Sequence, residues 1–232
     1  MGIGLVTIVA IFTLPETLPR ERRESGSLKP VLMGYGALLQ NRTFLGYAAV
    51  VGCFYAGVFA NIAGAPFAYI SYHHLSPNLY ALLFAAGVFG LMIANVINSR
   101  LVLRVGSGRM LLVGAIGAAV FGTAVALVTR TDFGGIYGLI PALFLFGSMN
   151  GFILANAVAG ALSSVATRTG AASALVGAIQ YGSGMIGSAL VGVFADGTPW
   201  PMGWVMALAG VGSLVSVLLA GGWRRAASES IV

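Results

Sequence analysis

The sequence predicts an all-α integral membrane protein with six transmembrane helices, and three observations support this. Of the 232 residues, 58% are hydrophobic and only 8% are charged, against roughly 25% charged residues in an ordinary soluble domain. The apolar residues fall in long runs, near the roughly 20 residues that a helix needs to cross a bilayer core. The 34 glycines are typical of helices that pack closely in lipid.

The chain divides into a short apolar start, a polar linker, a six-helix region and a tail. Residues 1–14 would make a helix only about 21 Å long, which is too short to cross the membrane, so we interpret this stretch as the remnant of a transmembrane helix. A cytoplasmic linker at 15–43 follows, then a six-helix half-domain at 44–220 and a cytoplasmic tail at 221–232. The predicted spans are 44–65, 79–97, 110–128, 136–156, 171–194 and 201–220.

The basic residues indicate the orientation of these spans. Eleven of the twelve Lys and Arg residues fall in alternate segments, at 15–43, 98–109, 157–170 and 221–232, and only Arg130 falls on the opposite side. Cytoplasmic loops carry the excess of Lys and Arg. We therefore expect a multi-pass protein with both termini in the cytoplasm.

A short basic stretch at 98–109 separates the second and third predicted spans. An Arg at the centre of a membrane helix costs about 2.5 to 3.5 kcal/mol, so Arg100, Arg104 and Arg109 must lie at a membrane face. Gly106 and Gly108 beside them predict a tight turn. Two interpretations remain open: a plain topology signal, or a defined cytoplasmic loop, docked on the helix ends, that takes part in gating.

Small residues recur at a four-residue spacing inside three spans, which lets helix backbones approach closely. We therefore expect a compact bundle. The three stripes are Ala86, Gly90 and Ala94; Gly114, Ala118, Gly122 and Ala126; and Gly184, Ser188 and Gly192.

Polar side chains inside the spans are the candidate functional residues, because each must find a partner in the bundle or face a cavity. Gln180 shares a helix face with Ser173, Gly177 and Gly184. The alternative for any of these residues is an interhelical hydrogen bond, worth about 0.6 kcal/mol on average. Five residues are predicted to border a central substrate cavity: Tyr55, Asn61, Asn150, Gln180 and Tyr181.

Four motifs in order resemble one family of transporters. They are PETL at 15–18, GAPFAYI at 64–70, NSR at 98–100 followed by Arg104 and Gly106, and TGAASAL at 169–175 followed by Gly177 and Gln180. Together they resemble the drug:proton antiporters of the bicyclomycin and chloramphenicol resistance type, a branch of the major facilitator superfamily. The resemblance covers essentially the whole chain, but only the C-terminal half of a twelve-helix transporter, from the end of helix 6 through helices 7 to 12.

This resemblance implies a transporter rather than an enzyme. The complete protein would export drugs or other small molecules across the bacterial inner membrane by proton antiport, with no cofactor and the proton gradient as driving force. Its partners would be the lipid bilayer, an N-terminal six-helix half of the same gene product and a small amphipathic substrate. In this superfamily the two halves rock about a site near the bilayer midplane.

Other functions remain as alternatives to a drug exporter. The first alternative is a non-functional or structural membrane fragment. The second is part of a carrier of another small metabolite. An intramembrane hydrolase using Ser183 is disfavoured because no predicted span contains His, Asp, Glu or Lys to activate the hydroxyl. Nucleic-acid binding is also disfavoured, because the basic residues lie in short loops without an aromatic platform.

Proton coupling and metal binding are not expected of this chain alone. All six acidic residues fall outside the predicted spans, whereas proton relays commonly use intramembrane Asp, Glu or His. His73 and His74 are adjacent in a loop with no third ligand nearby in sequence, so we expect no metal site there. The acidic residues are Glu16, Glu21, Glu24, Asp132, Asp196 and Glu229.

Overall fold

The computed structural model describes residues 35–165 and 169–220, and all regular structure within these ranges is helical. The predicted helix remnant at 1–14, the linker up to residue 34 and the tail at 221–232 lie outside the described residues. A π-helical turn, Phe67–Tyr72, extends the first helix. Residues 35–40 are also helical. The α-helices that follow are α1 (Arg42–Pro66), α2 (Pro77–Val105), α3 (Ser107–Thr131), α4 (Gly135–Ser148), α5 (Asn150–Ser163), α6 (Thr169–Val193) and α7 (Trp200–Ala220).

These helices make six membrane spans, because α4 and α5 meet at Met149 and form one span. Each span is long and apolar enough to cross a bilayer: Arg42–Tyr72, Pro77–Val105, Ser107–Thr131, Gly135–Ser163, Thr169–Val193 and Trp200–Ala220. The predicted fold class, an all-α membrane protein with six transmembrane helices, is confirmed.

The first span is longer than predicted, because Pro66 does not end it. Pro66 keeps helical dihedral angles, with φ −56° and ψ −43°, and the helix continues through Tyr72 with wider hydrogen bonds. The His73 N–H donates to the Ala68 carbonyl at 3.1 Å. Such π adjustments satisfy the backbone groups that a proline leaves unpaired in a membrane helix.

The second span begins two residues before its predicted start. Ser76 is the N-cap, and its hydroxyl accepts from the Leu79 N–H at 3.3 Å. Pro77 explains the earlier start, because proline is favoured at the first helical position and so places the cap at the residue before it.

The basic turn is much shorter than predicted. Helix α2 continues to Val105, so Arg100 and Arg104 lie on its last two turns, and Arg109 lies in the first turn of α3. Only Gly106 separates the two helices, and its φ of 89° is one that glycine adopts readily. The predicted tight turn is present at Gly106, but the stretch at 98–109 is mostly helical, because Arg side chains can reach water from a backbone that stays helical.

Helices α3 and α7 cross with their backbones in contact, through the predicted stripe of small residues on α3. A Cβ added to Gly122 would lie 2.6 Å from the Met206 carbonyl oxygen, and one added to Gly210 would collide with the Ala118 carbonyl. Gly114, Ala118, Gly122 and Ala126 are all buried. This stripe therefore packs as the sequence predicted.

The other two stripes are packed over only part of their length. On α2, Gly90 packs against Phe144 of α4 and Ala94 against Gly151 of α5, while Ala86 is exposed. On α6, Gly184 packs against Phe59 and the Ser188 hydroxyl donates to the Phe59 carbonyl at 3.2 Å. Among the described helices, α1 packs against α5, α6 and α7 and is therefore central.

Contacts between loops show which helix ends share a face of the bundle. His73 after α1 lies 3.8 Å from Asp132 after α3, and the Arg130 guanidinium lies 5.4 Å from the ring centre of Trp200 at the start of α7. On the opposite face, the Asn41 amide donates to the Ser164 carbonyl at 3.4 Å. The helices therefore alternate in direction as the charge count assumed.

Candidate functional site

A cavity of about 200 Å³ lies between α1, α2 and the α4–α5 span. Asn61 and Asn150 supply its carboxamides, and Tyr69 and Tyr80 supply two phenol rings. The remaining lining is apolar, and no Asp, Glu, His, Lys or Arg occurs among the described residues that line the cavity. Its apolar walls include Val58, Leu83, Phe84, Ile140, Leu143, Phe144 and Phe146.

The position of Asn61 follows from the packing of α1. Phe54 is fully buried and stacks on Phe146, with ring centres 5.2 Å apart. Because Asn61 follows Phe54 by two helical turns, it lies on nearly the same face. The anchored ring therefore fixes the rotation of α1 that brings Asn61 to the cavity.

Asn150 reaches the cavity from the middle of the α4–α5 span. The backbone at Met149 keeps helical dihedral angles, with φ −63° and ψ −19°. The Met149 N–H donates to the carbonyls of Leu145 and Phe146 at 3.3 and 3.1 Å, and the Ile153 N–H donates to the Met149 carbonyl at 3.0 Å. The span predicted at 136–156 is therefore one helical span, which extends from Gly135 to Ser163.

The two carboxamides share an unusual property. The Oδ1 atoms of Asn61 and Asn150 are buried and have no hydrogen-bond partner. A buried acceptor without a donor costs about 1–3 kcal/mol, so such atoms are rare unless a ligand or water meets them. Both oxygens are enclosed in the protein, although Asn61 and Asn150 also line the cavity.

Tyr55 and Tyr181 lie in a second group, between α1 and α6. Their ring centres are 6.4 Å apart in an edge-on arrangement, and Phe59 joins both rings at 6.4 and 6.2 Å. Sequence reasoning missed Phe59, although its place one turn after Tyr55 was a usable signal. Neither tyrosine lines the cavity of Asn61 and Asn150.

Gln180 is half-buried on α6 beside Tyr181. The helix face that it shares with Gly177 and Gly184 is packed on one side of it and open on the other. A Cβ added to Gly184 or Gly187 would meet α1, whereas one added to Gly177 would meet nothing within 4 Å. Ser173 is exposed. Gln180 therefore lies at the border between the packed and the open parts of this helix face.

The predicted gating residues lie at the exposed ends of α2 and α3. Arg100, Arg104 and Arg109 are exposed, and no carboxylate of the described residues lies within 4.0 Å of them. Nearby, the buried Asn156 amide donates to the buried Asn98 oxygen at 2.7 Å, linking α5 to α2. Sequence reasoning did not pair these residues, because their separation of 58 positions gives no local pattern.

The two acidic residues that the structure describes, Asp132 and Asp196, lie in loops. The Asp196 carboxylate accepts from the Thr198 N–H at 2.9 Å and from its hydroxyl at 2.7 Å. These bonds favour the charged form and lower the pKa of Asp196 below its usual value. Asp196 thus forms a turn at the start of α7 rather than part of a binding site.

Six transmembrane helices, with a mostly apolar cavity between α1, α2 and the α4–α5 span, define a multi-pass membrane protein. The chain belongs to the major facilitator superfamily, a family of membrane transporters, because residues 1–188 match that family.

Two curated bacterial proteins are similar to most of the chain. An uncharacterized MFS-type transporter of Bacillus subtilis (strain 168), YdgK, is 35% identical over 218 residues, which is 92% of this chain and 53% of the relative. A bicyclomycin resistance protein homolog of Haemophilus influenzae is 27% identical over 217 residues, or 93% of this chain and 54% of that protein. The chain therefore spans about half the length of the curated relatives it matches.

Proposed function

We propose that the chain forms the C-terminal half of an exporter of drugs or other small molecules, of the bicyclomycin and chloramphenicol resistance type. The cavity carries this proposal, because it combines apolar walls with the side chains of two asparagines inside the membrane-spanning region, as pockets for small molecules commonly do. The name of the Haemophilus influenzae relative supports the drug-export class. The complete protein lies in the bacterial inner membrane.

A second six-helix half is proposed to cover the open faces of α2 and α6. On α2, only Gly90, Ala94 and Asn98 are buried, and on α6 only four residues are. Large apolar side chains are exposed along both helices: Leu82, Phe84, Phe89, Met92, Ile93 and Val96 on α2, and Tyr181, Met185, Ile186 and Val193 on α6. In the proposed transporter, the partner half and lipid share these surfaces.

The proposed energy source is a proton gradient, and the proton-carrying group is assigned to the partner half. No acidic residue lies inside the six spans, and His73 and His74 follow the first span rather than lying within it. This chain then contributes substrate contacts, and its partner contributes the titratable carboxylate.

Transport by purified protein in vesicles tests the proposal. With an imposed pH gradient, the complete transporter should move at least one drug of a chemically varied panel, and this chain alone should move none. Gradient-driven transport by the chain alone would refute the need for a partner half. Transport of a metabolite but of no drug would favour the alternative carrier, and no transport by the complete protein would favour a non-functional fragment.

The proposed orientation can be tested by thiol labelling of intact cells. Single cysteines replace Asn78 or Ser107 in a Cys53→Ala background, since Cys53 is the one native cysteine. We expect an impermeant reagent to label the cysteine at 78 and to leave the cysteine at 107 unlabelled. The reverse pattern would invert the topology and place both termini outside.

Gln180 offers a test of the predicted central cavity. In the complete transporter, Gln180→Leu should change drug export while membrane abundance stays the same, because Gln180 borders an open part of α6. Ile186→Leu, on an exposed face of the same helix, serves as a control and should change neither. A parallel loss of abundance and export would instead make Gln180 a packing residue.

A further inference from the structure

We infer that a second cavity, between the ends of α1, α6 and α7, holds one acyl chain of a phospholipid whose headgroup carries a phosphate and a primary ammonium group. Arg130 binds the phosphate and Asp196 binds the ammonium group. This inference concerns the lipid around the protein and does not depend on what the transporter carries. It follows from the lining of the cavity, its place along the spans and the two charges beside it.

The lining of this cavity is suited to hydrocarbon. Its volume is about 260 Å³, and none of the described residues that line it is charged. The two hydroxyl groups among these residues are already engaged, because Ser188 donates to the Phe59 carbonyl at 3.2 Å and Thr198 donates to the Asp196 carboxylate at 2.7 Å. The rest of the lining consists of Ala, Gly, Phe, Val, Pro and Met residues. A polar ligand would lose its water for few new hydrogen bonds, whereas an acyl chain needs none.

The cavity is open along membrane-spanning helices. Ala63 and Phe67 on the first span and Gly192 on α6 line it, and all three are exposed. Trp200 and Trp204 lie at the start of α7 at the same end of the bundle, and tryptophan is enriched at the level of the lipid headgroups. The cavity therefore runs from the headgroup level into the span, as an acyl chain does.

Two opposite charges lie beside the cavity without pairing with each other. Asp196 is flanked in the chain by two residues that line the cavity, and so is Trp200, whose ring centre lies 5.4 Å from the Arg130 guanidinium. The hydrogen bonds from Thr198 lower the pKa of Asp196 most, and the positive charge of Arg130 lowers it further. No carboxylate of the described residues lies within 4.0 Å of Arg130. Both charged side chains are exposed, so each can bind another group.

A phospholipid with a primary ammonium group complements this pair of charges. Its phosphate accepts from the guanidinium of Arg130, whose planar fork of donors matches phosphate oxygens. Its ammonium group donates to the carboxylate of Asp196, which has about four acceptor sites and receives two donors from Thr198. A quaternary ammonium group has no N–H to donate, and a glycerol headgroup has no positive charge. The site should therefore prefer the primary ammonium group to both.

Lipid binding to the complete transporter, measured by native mass spectrometry, tests this inference. Phosphatidylethanolamine, phosphatidylcholine and phosphatidylglycerol with identical acyl chains supply a primary ammonium, a quaternary ammonium and a glycerol headgroup. We expect phosphatidylethanolamine to bind about three- to tenfold more tightly than either of the others, which is the usual worth of one hydrogen bond.

Four variants locate the binding. Asp196→Asn keeps an oxygen that can accept from Thr198 but removes the charge, so it should abolish the preference for phosphatidylethanolamine over phosphatidylcholine. Arg130→Gln should weaken binding of all three lipids at this site. Gly192→Leu should remove the most tightly bound lipid, because its side chain begins in open space and fills the cavity. Gly182→Leu is the matched control, since a Cβ there also meets nothing within 4 Å in this chain and the residue does not line the cavity.

Photo-crosslinking identifies what occupies the cavity. With p-benzoylphenylalanine in place of Phe67, which lines the cavity, the transporter should select phosphatidylethanolamine from an equal mixture of the three lipids. The same group in place of Tyr137, which is exposed and does not line the cavity, should show no such selection.

Several results would overturn the inference. Equal binding of phosphatidylethanolamine and phosphatidylcholine, an unchanged preference in Asp196→Asn, or unchanged lipid binding in folded Gly192→Leu would each do so. A crosslink from position 67 to the partner half instead of lipid would assign the cavity to that half. Thermal unfolding shows which variants are folded, and Asp196→Asn decides the test if Gly192→Leu is not. Drug export is measured separately, so the proposed function stands or falls on its own.

Discussion

The crossing of α3 and α7 is closely packed, whereas the cavity beside α2 is left open. At the crossing, glycine and alanine bring the two backbones into contact, and a Cβ at Gly210 would collide with the Ala118 carbonyl. Around the cavity, Gly87 and Gly147 face open space, and two amide oxygens lack partners. The same residue type thus removes space in one region and provides it in the other.

This difference has a consequence for stability and function. The crossing contributes dispersion contacts, which hold helices together in lipid where the hydrophobic effect does not. The cavity gives up such contacts and leaves polar atoms unpaired, which costs free energy. We therefore expect substitutions at the crossing to affect folding, and those at the cavity to affect binding and to spare or even improve stability.

The largest expected effect is that of Gly210→Leu. The new side chain has no room, because its first atom already overlaps the backbone of α3, and overpacking a tight contact costs roughly 1–3 kcal/mol or more. Membrane abundance and the unfolding temperature should both fall sharply. In this chain on its own, without the proposed partner half, Gly182→Leu should leave both nearly unchanged, because a Cβ there meets nothing within 4 Å. Equal losses in the two variants would show that the crossing is not special.

A smaller effect is expected from the Asn98–Asn156 pair, which is the polar link between α2 and α5. Asn156→Leu should destabilise the protein by about 1–2 kcal/mol, because the Asn98 oxygen then loses its donor in a buried position. The free energies of unfolding of the single and double variants, measured in mixed micelles, complete a thermodynamic cycle. If the double variant Asn98→Leu/Asn156→Leu loses the sum of the single losses, the two residues do not interact.

The sequence predicted the packed regions better than the cavity, for a physical reason. A helix contact leaves a repeating pattern, so the stripe from Gly114 to Ala126 could be assigned before the structure was known. The cavity is formed by Asn61 and Asn150, which lie 89 positions apart, and no local period links them. Both residues were nevertheless predicted to border one cavity, because a polar side chain in a span needs a partner.

The differences in the bounds of the spans have specific causes. The predicted first span ends at residue 65, but a π-helical turn carries the helix past Pro66 to Tyr72. The predicted second span ends at residue 97, but α2 continues to Val105, because only the side chains of its arginines need water. The bordering of a substrate cavity by Tyr55 and Tyr181 stays a prediction, and in the structure they form an aromatic cluster with Phe59.

The smallest expected effect is the change in stability caused by a Gly→Ala substitution, and it should have opposite signs in the two regions. Gly147→Ala should stabilise the protein by about 0.5–1 kcal/mol, because alanine restricts the unfolded chain and favours the helix while its methyl group enters open space. Gly210→Ala should instead destabilise it, since there the same methyl group meets backbone. Unfolding of both variants beside the wild type gives the two signs in one experiment. Destabilisation by Gly147→Ala would mean that the open space is needed for folding. A gain in stability together with weaker ligand binding would show that the cavity is kept for function.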